Sequence, residues 1–152
     1  MNKKLFLSII KCLIIFLIGG HLYYGIEILW RGYSHFSMFV LGGLCFLIIG
    51  SINEKFFQWS MYIEVQILIG ELFVVLSEFN TGCIVNILLG LNVWDYSDMP
   101  LNIMGQICVP FILLWIPLVG IAIILDDYIR YLFFNEEKPK YKSFIINKIK
   151  NR

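Results

Sequence analysis

The sequence predicts an all-α integral membrane protein with four transmembrane helices, a partly ordered outer loop and a basic, amphipathic C-terminal tail. Three observations carry that expectation. Hydrophobic residues make up 59% of the 152 residues, mean hydropathy is +0.79, and charged residues are only 15%. A soluble chain this short leaves too much of its surface in water to hide so many apolar side chains. Apolar segments also recur at lengths near the roughly 20 residues a helix needs to cross a hydrocarbon core of about 30 Å. Finally, these segments are continuous and lack the alternation of a membrane barrel. Helices then satisfy the backbone polar groups within lipid.

The first span is expected at about 12–30. Asn2-Lys3-Lys4 and the apolar run after it imitate a signal peptide. However, Lys11 interrupts the run, no small-residue cleavage site follows, and apolar character continues past Gly20, so the segment reads as an uncleaved span. The second span, about 36–52, is short. Its Gly42, Gly43 and Gly50, with Gly19, Gly20 and Gly25 on the first, suit close helix approach. The third span is expected at about 61–79.

A long connection, Asn80 to Asn102, follows. Its Ile84–Val93 part is apolar but too short to cross, which suits an interfacial or re-entrant piece. In Trp94-Asp95-Tyr96-Ser97-Asp98-Met99-Pro100 the aromatic residues suit headgroup depth, and Pro100 disfavours helix at Met99. The fourth span, about 103–125, contains Pro110 and Pro117 and should be kinked by them. Residues 1–127 thus form one four-span membrane domain, and 128–152 form a tail lying on the anionic cytoplasmic surface.

Basic residues set the orientation. Lys3, Lys4 and Lys11 lie at the start, Lys55 in the second connection, and Arg130, Lys138, Lys140, Lys142, Lys148, Lys150 and Arg152 in the tail. The opposite side has Arg31 beside Asp95 and Asp98. Both termini are therefore expected in the cytoplasm, on a multi-pass protein of the cell membrane whose first partner is the lipid bilayer. A net charge of +1 provides no basic field for nucleic acid.

Cys12, Cys45, Cys83 and Cys108 have no C-x-x-C spacing, which gives a zinc or redox site no support. Cys83 and Cys108 flank the same loop, and sequence leaves their pairing open. The two histidines lack metal-site spacing. No nucleophile elbow, phosphate-cradling loop or kinase motif occurs. No catalytic residue, metal or cofactor is expected.

The candidate site is a set of acids. Glu64, Glu71 and Glu78 stand seven residues apart in the third span, and with Leu68 and Val75 they trace one helical face that drifts about 20° per heptad. Carboxylates within a membrane-length helix are costly and point at partners, water or substrate. Glu71 would lie near mid-depth. Glu27 and Arg31, four apart in the favourable acid-first order, end the first span near His21, Tyr23 and Tyr24. Glu27 is expected to join Glu78 in an outward-facing polar pocket. Asp126 and Asp127 should sit at the cytoplasmic exit of the fourth span, with Arg130 in reach of Asp126.

Trp94-Asp95-Tyr96-Ser97 and Asn102-x-x-Gly105-Gln106-Ile107-Cys108 carry a resemblance. Around them stand Tyr24-x-x-Glu27, Arg31-Gly32, Gly43, Asn53, Glu78-Phe79-x-x-Gly82, Asn86 and Trp115. Over roughly Gly20 to Arg130 the chain resembles a family of small bacterial membrane proteins described as ABC transporter permeases, type IV or CmpB-like. The resemblance implies a transport-type membrane subunit. Four short spans hardly enclose a substrate path, so such a permease would act as a homo-oligomer, or with a second permease and an ATPase subunit docked at the Asn53–Ser60 link.

In that reading Glu27, Glu71 and Glu78, with Glu64, His21 and Arg31, form a substrate or ion pathway. Residues Trp94 to Asp98 would form an outer cap or gate. Two other readings fit the residues. One is a non-transport assembly or scaffold protein whose polar seam specifies helix pairing. The other is an intramembrane lipid-processing enzyme using His21 with the acids, although no activated nucleophile is visible.

Overall fold

A computed structural model of the chain describes residues 3–52 and 59–150. Helix α1 (Lys3–Arg31) has 29 residues, and a four-residue link leads to α2 (Phe36–Ser51) with 16. Helix α3 (Ile63–Gly82) continues into a π-helical turn, Cys83–Leu88, giving 26 helical residues in all. Strands β1 (Asn102–Ile103) and β2 (Ile107–Cys108) pair as a small antiparallel ribbon. Helix α4 (Val109–Phe134) has 26 residues, and α5 (Phe144–Lys150) ends the described chain.

Three helical stretches, Lys3–Arg31, Ile63–Leu88 and Val109–Phe134, are long and apolar enough to cross a membrane. α2 is apolar but shorter, about 24 Å of helix against a hydrocarbon core of about 30 Å.

Two boundaries differ from expectation. The fourth helix does not start at 103. Leu101, Met104 and Gly105 take positive φ, which a right-handed helix cannot hold, so 102–108 turns as a ribbon before α4 begins. Pro110 then falls in the first turn of α4, where a missing N–H has no helical acceptor to lose, so it does not kink the helix. Pro117 stays inside. At the other end α4 runs past 125 to Phe134 and stops where Asn135 adopts the left-handed conformation, φ 56°. The apolar piece after Gly82 also does not start afresh, because it prolongs α3 as the π-helical turn.

α1 packs most extensively on α2. A Cβ at Gly19 or Gly42 would overlap Phe46 or Tyr23, and one at Gly20 would lie 2.7 Å from the Phe39 carbonyl. Bare backbone on both helices lets aromatic rings of the opposite helix seat directly against it. This is the kind of close contact that drives association where lipid is as apolar as the side chains. Gly25, by contrast, faces open space. α4 packs on both α2 and α3, with Gly70 under Val119 and Gly120 under Ile67. The shared core includes Met38, Leu41, Cys45, Ile49, Val119 and Ile123.

One end of the bundle carries the long connection; we call it the loop end. The other, the tail end, holds the start of α1, the end of α4 and the C-terminal segment. There Lys11 pairs with Glu136, and Arg130 Nε donates to Asp126 Oδ2 at 2.5 Å. Asp126, Asp127 and Arg130 are all buried, so these acids are not solvated exit charges. Gly50 makes room for them, since a Cβ there would occupy the Asp126 carboxyl. The segment after α4 turns back along the bundle. Tyr141 donates to Asp127 Oδ2 at 2.8 Å, Lys142 bridges to Tyr62, and the Ser143 hydroxyl donates to Glu64. Burial, and next the neighbouring Asp127 charge, hold the Tyr141 phenol well above its usual range.

Candidate functional site

The buried face of α3 holds two of the expected glutamates but not Leu68. Gln66, Gly70, Glu71, Glu78 and Gly82 are buried, whereas Leu68 is 69% exposed. The inward stripe keeps the seven-residue step from Glu71 to Glu78, adds the four-residue steps Gln66 to Gly70 and Glu78 to Gly82, and leaves Leu68 out. α4 meets α3 at Gly70, so the face turns toward its smallest residues. Glu71 and Glu78 lie on that stripe, 6% and 1% exposed. Glu64 is only half-buried and is committed to the tail, accepting from the Ser143 hydroxyl and, at 3.4 Å, from the Ile145 N–H.

At the loop end the expected pair forms: Arg31 Nη2 donates to Glu27 Oε2 at 2.7 Å. Ser34 donates to the same oxygen at 2.6 Å, while Arg31 Nη1 and Nε reach the carbonyls of Val93 at 3.0 Å and Tyr33 at 3.2 Å. Glu27, Arg31, Tyr23 and Glu71 are the charged and polar groups that bear on Glu78. Among the described residues, Glu78 Oε2 and both carboxyl oxygens of Glu71 have no hydrogen-bond partner.

Two cavities adjoin here. One, of about 240 Å³, is lined by Glu27, Arg31, Trp94, Asp95, Tyr96 and Phe111 among others. The second, of about 200 Å³, lies deeper between the helices and has Glu78 in an otherwise mostly apolar wall. Tyr23, Ile26, Trp115 and Leu118 line both. Both open along the seam between α1 and α4, a pair that shares little direct packing and is bridged near the loop end by the Trp30 and Phe111 rings.

The long connection forms an ordered lid. Asn86 Nδ2 donates to Gln106 Oε1 at 2.8 Å, and Asn86 Oδ1 accepts from the Val93 N–H at 2.7 Å. The buried Trp94 donates to the Gln106 carbonyl at 2.9 Å, and the Tyr96 N–H to the Gly105 carbonyl at 2.8 Å. The Asp95 carboxylate accepts from the Ser97 hydroxyl at 2.5 Å and from its N–H at 2.8 Å, and these bonds hold its carboxyl below the usual range. Gly105, at φ +69°, stands where a Cβ would press on Ser97 and Asp95. Tyr96 stacks on Phe111, ring centroids 4.7 Å apart, and burial raises its phenol well above its usual range. Asp98 is exposed and takes no part in these bonds.

The structure therefore gathers Glu27, Arg31, Glu78, Trp94, Asp95 and Tyr96 around two adjoining cavities. Glu71 continues the buried stripe below them. Glu64 and His21 stand apart. His21 is exposed on α1, its Nδ1 2.7 Å from the Leu17 carbonyl, and it lines neither cavity. Sequence reading missed Gln66. It treated Asn86 and Gln106 as features of resemblance, without seeing that they bond each other. An amide between apolar residues at each position was the available signal, because a buried amide needs a partner. Cys83 and Cys108 are both free. No cluster of possible metal ligands occurs among the described residues.

Three long apolar helices, with carboxylates turned toward neighbouring protein, are the build of a helical membrane protein. A family model described as "Putative ABC-transporter type IV" matches residues 14–147, and the chain belongs to that family. No curated protein and no solved structure matches it.

Proposed function

We propose that the chain is the membrane-spanning permease subunit of a transporter, and that the seam between α1 and α4 is its substrate path. The observation that carries this reading is Glu78: a carboxylate 1% exposed, with one oxygen unpartnered, facing a cavity. A carboxylate that served packing alone would be expected to find donors, because leaving it unmatched in a low dielectric is costly. Glu27 stands above it in the outer cavity and Glu71 below it on the same stripe. The lid of Trp94 to Ser97 covers the loop end. In this reading α2 completes a four-span domain, and both termini lie in the cytoplasm because the tail end collects the lysines.

The sequence contains no nucleotide-binding loop. Energy would come from a separate ATPase subunit, and a path open along one side would be closed by a second copy or a second permease. The Asn53–Ser60 link proposed for docking lies mostly outside the described residues.

Isolation of the chain from its native membrane after mild crosslinking tests the proposal. A nucleotide-hydrolysing subunit should copurify in stoichiometric amount, and Glu78→Gln should lower hydrolysis by the reconstituted complex without loosening it. Recovery of the chain with no such subunit would refute the assignment.

A further inference from the structure

We infer that the α1–α4 crevice takes an amphiphile: an apolar chain in the deep cavity and a cationic amine head between Glu78 and Glu27. The inference rests on the transporter reading and specifies the class of its substrate.

The deep cavity sets the chain. Its wall includes Leu22, Ile26, Ile121 and Leu125, which are also exposed on the outside of the bundle. A wall that is at once cavity lining and outer surface means the cavity opens sideways, where a membrane protein meets acyl chains. Neither cavity alone reaches the roughly 300 Å³ at which ligand pockets begin, but the two joined do. Their junction passes Tyr23 and Trp115, so a ligand filling both has one long apolar part and one end among polar groups.

Charge sets the head. Of the charged groups that line the two cavities, Glu78 stands in the deep one and Glu27, Asp95 and Arg31 in the outer one. Arg31 is committed, since Nε, Nη1 and Nη2 each donate to protein oxygens. Glu27 Oε2 accepts from both Arg31 and Ser34. Glu78 Oε2 is left over. The unmatched group is an acceptor of negative sign, and an ammonium donor matches it in both charge and hydrogen bonding. An anionic head would meet the carboxylates of Glu27, Glu78 and Asp95 and a guanidinium whose three nitrogens each already donate to protein.

The test uses the whole protein in nanodiscs of neutral phosphatidylcholine. Three photo-crosslinkers share one alkyl chain and carry a primary ammonium, a hydroxyl or a sulfate head. The ammonium probe should label peptides from α1 residues 19–31 and α4 residues 111–125 about tenfold more than the sulfate probe, a difference of about 1.4 kcal/mol. Glu78→Gln should erase the preference for ammonium while alkyl labelling of the same peptides persists. Ala122→Trp, which fills the deep cavity from its wall, should remove labelling by all three. Should Glu78→Gln fail to fold, Ala122→Trp and the comparison of heads still decide.

Equal labelling by the three heads, or labelling elsewhere, would overturn the inference. A chain that copurifies with an ATPase but shows no ammonium preference retains the transporter reading and loses this one. An ammonium preference without an ATPase does the reverse.

Discussion

Asn86 and Gln106 are bonded to each other inside the loop end, Nδ2 to Oε1 at 2.8 Å; Asn86 Oδ1 also accepts from the Val93 N–H, and the Gln106 carbonyl accepts from the Trp94 indole. Twenty residues separate them, and the Trp94–Ser97 segment lies between. Replacing Asn86 with Ala strands the Val93 N–H and the Gln106 amide oxygen in a buried place, at a cost of about 1–3 kcal/mol. Asn86→Ala and Gln106→Ala should each lower the unfolding midpoint in detergent. The double variant should be less destabilised than their sum, the mark of a shared bond. Strict additivity would show that the amides act independently.

Gly50 is expected to tolerate no larger residue. Gly50→Ala puts a methyl where the Asp126 carboxyl lies, and overpacking of this kind costs about 1–3 kcal/mol. Thermal unfolding checks it. Gly25→Ala, facing open space on α1, is the control and should leave the midpoint unchanged or slightly raised, because alanine favours helix.

Arg31→Lys should not preserve the contacts around the loop-end cavity. The guanidinium reaches Glu27, Val93 and Tyr33 from three nitrogens, whereas an ammonium is one point charge. We expect a loss of about 1 kcal/mol or more and faster hydrogen exchange at residues 93–97. Unchanged exchange in the lysine variant would show that charge alone holds the lid to α1.

The tail is clasped through Glu64. Ser143→Ala removes the hydroxyl donor to that carboxyl and should expose the segment after Asn135 to limited proteolysis, with the bundle left intact. If cleavage in the tail proceeds no faster than in the parent protein, Ser143 is not what holds it.

Stability should also fall in alkali through Tyr141. Burial and Asp127 keep its phenol protonated in the fold, while in the unfolded chain it ionises near pH 10. Above about pH 10 the unfolded state has lost a proton that the folded state keeps, so stability is constant below that pH and declines above it. Tyr141→Phe should lower stability at neutral pH and flatten the alkaline decline. An alkaline limb of unchanged steepness would place its source elsewhere.

Much of the site was legible before the fold was known, for a physical reason. A carboxylate in an apolar run has few cheap places to be, so Glu71 and Glu78 had to face protein. Glu27 and Arg31, one helical turn apart, met as local geometry dictates. The same logic failed for Glu64 and His21, which are near helix ends or on an exposed side where other partners suffice. It failed for Leu68 too, because heptad spacing does not say which side of a stripe a neighbouring helix will choose.

The amino-acid sequence alone determined the helical, apolar character of the chain and the acids that must be shielded, since these follow from hydropathy and helical periodicity, which are local quantities; it counted four spans where three helices are long enough to cross. Tertiary structure decided the rest: that α3 turns Gly70 rather than Leu68 inward, that 102–108 is a ribbon, that Asp126 and Arg130 are sealed against Gly50, and that α1 and α4 leave a crevice between them. Each of these depends on contacts between residues far apart in the chain. The free energy of such a contact is set by the shape of both surfaces, and neither surface is written in one segment.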